Sequence, residues 1–247
     1  MDRDGQVTDN SPKICVAICN YNHNKYLEES IRSIVEQDYG NLDIVVIDDG
    51  SGDMLASDIA ASFGDSRIRH HRFEINRGKW HALNYAFSTT QAEVCTSHDA
   101  DDVSLSWRLS AQMDAMQATK TVHNLCGFIH CWEESDVING RALVRPNSMS
   151  CMNAEDVARL VTSGYQAPGC NHYYTGKFET AGVSAMFLKR VWDIGFRFNP
   201  PGVGLRVLHS EDSDFNCRVT LGLRSTSILA ETPYLYRRNT STNREEK

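Results

Sequence analysis

Apolar residues in this chain fall into short unbroken runs separated by stretches of helical spacing. The first run, Ile14-Cys15-Val16-Ala17-Ile18-Cys19, is apolar throughout, the mark of a strand covered on both faces. Leu27, Ile31, Ile34 and Val35 then share one side of a helix, with Glu28 four residues before Arg32. Asp43-Ile44-Val45-Val46-Ile47-Asp48 repeats the buried-strand pattern and ends in the turn Asp49-Gly50-Ser51-Gly52-Asp53. Leu55, Ile59, Ala60 and Phe63 mark a short helix, followed by a strand over 67–73, a helix over 80–88 and a strand over 93–97. This alternation predicts an α/β fold with a mostly parallel central sheet flanked by helices.

The second half is less regular. A helix is expected over 104–119, with Trp107, Ala111 and Ala115 inward, and a strand over 122–132. Asn153 and Asp156 resemble the capped start of a helix carrying Val157, Leu160 and Val161 and stopping at Gly164. Residues 165–178 read as a site-lining loop, 183–188 as a strand, and 197–207, with Pro200-Pro201-Gly202, as a mobile loop. Ser210 caps an acidic helix start, Glu211-Asp212-Ser213-Asp214, and 239–247 is a polar tail. No repeat, low-complexity tract or linker divides the chain, so a single domain over 1–247 is expected.

The apolar fraction of 41% is enough for a sizeable core, and a net charge of −7 argues against a general nucleic-acid binder. No run approaches the ~20 apolar residues of a membrane span, and Met1 to Ser11 has no apolar signal core. The eight cysteines show no CxxC or zinc spacing; Cys15, Cys19 and Cys95 sit inside strands as small hydrophobes. Cys126 and Cys131, five apart, are read as reduced. A soluble protein of a reducing, cytoplasmic setting is expected.

The chemistry gathers at the carboxyl ends of the strands, where sheets of this kind bind ligands. Asn20-Tyr21-Asn22, Asp48-Asp49 and Asp99-Ala100-Asp101 each follow a strand. Three carboxylates packed in Asp99-Ala100-Asp101-Asp102 raise one another's pKa unless a cation holds them. On extended backbone Asp99 and Asp101 share a face while Asp102 turns elsewhere. Hard oxygen ligands at that spacing suit Mn²⁺ or Mg²⁺. The same residues also read as an acidic strand-to-helix turn, one Asp capping a helix that starts near Ser104 or Ser106.

These motifs, in this order, resemble the inverting family 2 glycosyltransferases of the GT-A fold. The resemblance runs from about Ile14 to Arg238, through Cys19-Asn20-Tyr21-Asn22, Val46-Ile47-Asp48-Asp49-Gly50-Ser51, Glu74-Ile75-Asn76-Arg77-Gly78-Lys79 with Ala82-Leu83-Asn84, and Asp99-Ala100-Asp101-Asp102. It implies a nucleotide-sugar-binding half over 12–103 and an acceptor-binding half over 104–238. It also implies metal-dependent transfer of one hexosyl or N-acetylhexosaminyl unit from a UDP-sugar. The acceptor would be a hydroxyl of a glycan, lipid-linked or other molecule, in glycan or surface polysaccharide synthesis.

By the same resemblance Tyr21 stacks on the base, Asp49 accepts the uracil imide N–H, and Cys19 and Ala100 belong to the nucleotide site. Lys79 or Arg77 contacts phosphate. Asp101 ligates the metal, with Asp99 on ribose or on the metal through water. Asp212 is the general base, Glu211 orients the acceptor and Asp214 is structural. A helix dipole, however, lowers the pKa of a carboxylate in the first turn and weakens it as a base.

The chain departs from the family at several points. Cys19 stands where Thr or Pro is frequent, and Asn239 where a metal-reaching His is frequent, with His172 and His209 as stand-ins. Arg237 or Arg238 is left to neutralise the diphosphate. The Gln/Arg/Trp motif of processive synthases is absent, which favours single-sugar transfer. Tyr165, His172, Tyr173 and Tyr174 are candidates for stacking on an acceptor sugar. Two other readings share the fold: a nucleotide-sugar-forming nucleotidyltransferase, disfavoured because the 20–24 turn has no glycine, and a catalytically inactive carbohydrate-binding protein.

Overall fold

The computed structural model describes residues 11–162, 172–174, 179–203, 210–238 and 240. Its first half runs β1 (Ile14–Asn20), α1 (Asn24–Val35), β2 (Leu42–Asp48), α2 (Leu55–Ser62), β3 (Ile68–Arg72), α3 (Lys79–Thr89) and β4 (Val94–Asp99). The second half runs β5 (Val103–Ser104), α4 (Arg108–Thr119), β6 (His123–Cys131), α5 (Glu134–Arg141), β7 (Cys151–Met152), α6 (Ala154–Thr162), β8 (His172–Tyr174), β9 (Glu179–Ala181), β10 (Met186–Leu188), α7 (Lys189–Asp193), α8 (Glu211–Leu223) and β11 (Thr226–Arg237). The main sheet has the order β3-β2-β1-β4-β10-β6-β11-β5. Strands β3, β2, β1 and β4 are parallel, as are β6 and β11, whereas β10 runs antiparallel to both β4 and β6.

The unbroken apolar runs exist because both sheet faces are covered. Ile14, Val16, Ile18, Ile44 and Val46 point to the layer of α1, α2 and α4, against Leu27, Ile31, Leu109 and Met113. The alternate positions Cys15, Ala17, Val45 and Ile47 face Leu83, Phe87, Trp192 and Phe215 of α3, α7 and α8. That second layer carries α3 and α8 on one side of the sheet, with the Asn84 side chain bonded to the backbone of Phe198 at 2.8 and 3.0 Å. Burying two such layers is the main stabilising term of the fold.

Several elements differ from their expected form. The helix expected from 104 begins at Arg108, because Val103 and Ser104 pair with Leu235 and Tyr234 instead. The 183–188 strand is a short 3₁₀ turn followed by β10. Within 165–178, His172–Tyr174 pairs with Glu179–Ala181 as a hairpin; Tyr165 and the rest lie outside the described residues. Gly164, His209, Asn239 and the 204–207 part of the expected loop are also outside them. The helix start at Asn153 holds, its side-chain oxygen accepting from the N–H of Glu155 and Asp156 at 3.0 Å.

The longest strand, β11, has no counterpart in the apolar pattern. It passes through Ala230-Glu231-Thr232-Pro233, where its pairing with β6 shifts register between Leu229 and Tyr234. Gly127 of β6 faces this bulge, and a Cβ there would come within 2.9 Å of the Glu231 carbonyl. Cys15, Cys19, Cys95, Cys126, Cys131, Cys151 and Cys217 are free thiols. No helix among the described residues is long and apolar enough to cross a membrane.

Candidate active site

The carboxyl ends of β1, β2 and β4 open onto a cavity of about 460 Å³, a size suited to a small-molecule ligand. Cys19, Tyr21, Asp49, Lys79, Asp99, Asp101 and Glu211 all line it. Of the expected nucleotide-site residues only Ala100 is not brought there. Its side chain is wholly buried in the core and its N–H donates to the Cys19 carbonyl.

The adjacent acids Asp48 and Asp49 divide their work. Asp48 is fully buried, pairs with Arg72 and accepts from the N–H of Ser51 at 3.1 Å, so it builds the turn. Asp49 accepts from the N–H groups of Arg77 at 2.9 Å and Gly78 at 2.7 Å. Burial, with the charge of Asp48 beside it, pushes the Asp49 carboxyl above its ordinary range. A carboxylate has about four acceptor positions, so Asp49 keeps capacity toward the cavity. Arg77 turns its side chain away over the Phe73 ring, leaving Lys79 as the cavity cation of that pair.

Asp99 ends β4, and residues 100–101 form a turn closed by the Asp102 N–H on the Asp99 carbonyl at 3.2 Å. The turn, rather than extended alternation, brings Asp99 and Asp101 to one cavity. Asp102 points the other way and is fully buried. It does not cap α4: its carboxylate accepts from the Tyr234 hydroxyl at 2.7 Å and the Arg237 N–H at 2.8 Å. Arg108, also fully buried, lies over the Tyr234 ring and donates to Thr96 and the Ser97 carbonyl. Burial, then repulsion from Asp101 and Asp99, holds Asp102 well above the carboxylate range.

Burial and the neighbouring Asp99 also raise the Asp101 carboxyl. Ligand oxygens of Asp99, Asp101 and Asp102 lie within 4.8 Å of one another. With Asp102 taken up by hydrogen bonds, Asp99 and Asp101 are the hard donors of this cluster that face the cavity, and they fit a divalent cation such as Mn²⁺ or Mg²⁺.

At the opposite wall Lys79 bridges the two acidic groups, its Nζ 2.6 Å from Asp99 and 3.2 Å from Asp212. Burial works against the Lys79 charge, but Asp212, Asp99 and Glu211 outweigh it and hold the ammonium well above its ordinary value. Asp212 sits in the first turn of α8 behind the Ser210 cap. Burial, opposed in part by Lys79, pushes its carboxyl up to about 7. Asp212 Oδ1 has no hydrogen-bond partner among the described residues. Asp214 is structural, accepting from Arg218 and Asn199 at 2.9 Å.

The sequence reading missed two residues beside Asp101, His23 and Thr240, and gave Arg237 a different task. His23 Nδ1 lies 3.7 Å from Asp101 Oδ2, the Thr240 hydroxyl donates to the same oxygen, and Arg237 donates to the Asp101 carbonyl at 3.1 Å. Of the two missed residues only His23 carried a signal, its place in the turn after β1. Arg237 is buried against Glu29 and Glu134, which leaves Arg238 as the basic side chain at that end with no carboxylate partner among the described residues.

The glycosyl transferase family 2 model matches residues 15–174, more than half of the chain, from the second residue of β1 through β8. The chain belongs to glycosyl transferase family 2. An uncharacterized glycosyltransferase of Haemophilus influenzae is 38% identical over 96 residues, covering 38% of this chain and 30% of that protein. One from Nostoc is 29% identical over 153 residues, covering 60% and 45%. The chain thus spans less than half the length of these curated relatives.

Among solved structures, TarS 1–349 of S. aureus in complex with UDP-GlcNAc superposes with a TM-score of 0.64 at 17% identity, covering 93% of this chain and 59% of that one. A mannosyltransferase of Pyrobaculum calidifontis in complex with GDP-Man and Mn²⁺ gives 0.58 at 18%, covering 97% and 62%. At such identities the likeness establishes the GT-A fold.

Proposed function

We propose that this family 2 enzyme transfers one sugar from a UDP-sugar to an acceptor hydroxyl with inversion at the anomeric carbon. The observation that carries this reading is that Asp99, Asp101 and Glu211 line one cavity while Lys79, also in its wall, bridges Asp99 to the buried Asp212. TarS binds UDP and UDP-GlcNAc on the same fold, and the mannosyltransferase binds GDP-Man with Mn²⁺. The carboxylate of Asp49, able to accept an imide N–H, supports UDP for this chain.

Tyr21 stacks on the base, Asp49 reads the imide edge, and Lys79 approaches the diphosphate. A divalent cation held by Asp101 and Asp99 would neutralise charge on the leaving diphosphate. Asp212 accepts the proton of the acceptor hydroxyl as its oxygen bonds to the anomeric carbon. The bond from that carbon to the β-phosphate oxygen breaks, and UDP leaves. A carboxyl with a pKa of about 7 is matched to this role near neutral pH. Glu211 orients the acceptor. The free thiols suit the reducing, cytoplasmic setting in which we place the reaction.

UDP release from a panel of UDP-sugars with Mn²⁺ present tests the reading. The wild type should hydrolyse one donor slowly, and Asp212→Asn should reduce this by about 10²–10⁴. Equal UDP release by the two proteins would remove Asp212 from the mechanism.

A further inference from the structure

The rim of the cavity carries an aromatic and cationic face outside the donor chemistry. Trp132 follows the carboxyl end of β6, directly before the Glu133 cap of α5. Its backbone is fixed, since the N–H groups of Trp132 and Glu133 both donate to Asp136 Oδ2, at 2.8 and 3.1 Å. A large apolar residue before such a cap ordinarily folds down onto the helix. Trp132 instead stays 58% exposed. The Arg238 guanidinium lies 5.3 Å from its ring centre and 5.2 Å from that of Tyr236.

Tyr236 and Arg238 also line the cavity of Asp99 and Asp101, so the face is continuous with the active site. Arg238 has no ion-pair partner among the described residues, because Arg237 takes Glu29 and Glu134. An exposed indole on a rigid backbone offers its π-face to the C–H-rich side of a pyranose at little cost in conformational entropy. A guanidinium without a carboxylate partner offers paired donors to an oxyanion.

We infer that Trp132, Tyr236 and Arg238 form an acceptor subsite for a saccharide bearing an anionic group, stacked on Trp132 with its carboxylate or phosphate on Arg238. This deepens the proposed function and rests on it. The acceptor is then an acidic glycan or a sugar phosphate, entering over the β6–β11 edge.

Saccharide binding to the protein saturated with UDP and Mn²⁺, read by tryptophan fluorescence and saturation-transfer NMR, tests this. Three probes are compared: a glucuronate-containing tetrasaccharide, glucose 1-phosphate, and neutral cellotetraose. At least one acidic probe should bind about tenfold more tightly than cellotetraose. Whether that is the carboxylate or the phosphate probe identifies the anion. Trp132→Ala, at an exposed position, should abolish binding of all three, and Arg238→Gln should erase the preference for the acidic probe. Failure of every probe to bind, equal affinity for acidic and neutral probes, or undiminished binding by Trp132→Ala would overturn the inference. UDP binding is measured on the same samples beforehand, so failure of the donor-site reading is seen separately.

Discussion

Lys79 Nζ lies 3.2 Å from Asp212 Oδ2, so the cation nearest the donor-site acids also holds the side chain proposed as the base. Lys79 lowers the Asp212 pKa against the larger effect of burial, which brings it to about 7. A base works when deprotonated, so kcat/KM for donor turnover should fall about tenfold per pH unit below pH 7 and level off above it. Lys79→Met removes the lowering charge, so the acid limb should move to higher pH. A pH–rate profile of both proteins measures this; an unmoved or acid-shifted limb in Lys79→Met would contradict the pairing.

Asp49 should set the base preference. Its carboxylate complements the N3–H of uracil and repels the bare N3 of cytosine. Wild-type protein should prefer UDP over CDP, and Asp49→Asn should lose about 10- to 100-fold in UDP affinity, the worth of a charge-assisted hydrogen bond. Competition of UDP and CDP in calorimetry reads both quantities, and an unaltered UDP/CDP ratio in Asp49→Asn would discard the assignment.

The turn after Asp49 depends on a residue without a side chain. Gly50 has φ of +77°, and a Cβ there would lie 2.6 Å from the backbone carbon of Ile75, in the loop whose N–H groups Asp49 holds. Gly50→Ala should cost about 2–4 kcal/mol from left-handed strain plus displacement of that loop. Thermal unfolding should show a Tm lower by about 5–10 °C, with weaker UDP binding.

Two buried histidines make stability pH-dependent. Burial, partly opposed by the Asn216 bond, pushes His123 down to about 4, and burial with the Arg108 charge holds His98 well below its ordinary value. An unfolded histidine takes up its proton near pH 6.5, whereas His123 in the fold does so only near pH 4. Its contribution is therefore complete above pH 6.5 and is lost as pH falls toward 4, by about 3 kcal/mol in full. Urea titrations at pH 7.5 and 5 should show about 2 kcal/mol of this loss, and His123→Gln should lessen the slope, the rest belonging to His98. An equal pH slope in wild type and variant would assign the loss elsewhere.

The parallel half of the fold was legible because alternate residues of β1 and β2 both had to be apolar, one set for each helical layer. β11 was not legible, since its bulge at Glu231–Pro233 breaks the pattern and only its pairing with β6 and Gly127 makes it a strand. The acids at the strand ends could be read locally. The surroundings of Asp101 could not, because Thr240 and Arg237 reach it only after the sheet has closed, more than 130 residues along the chain. The raised pKa of Asp212 was likewise hidden: the helix start is visible in sequence, while the burial of its carboxyl is a property of the packed site.

Calorimetric titration of UDP, with Mn²⁺ and then with EDTA, into wild-type protein and Asp101→Ala probes the donor site most directly. UDP should bind the wild type with Mn²⁺, more weakly with EDTA, and Asp101→Ala should lose the metal-dependent part. No UDP binding in either condition, or wild-type behaviour of Asp101→Ala, would contradict the donor site described above.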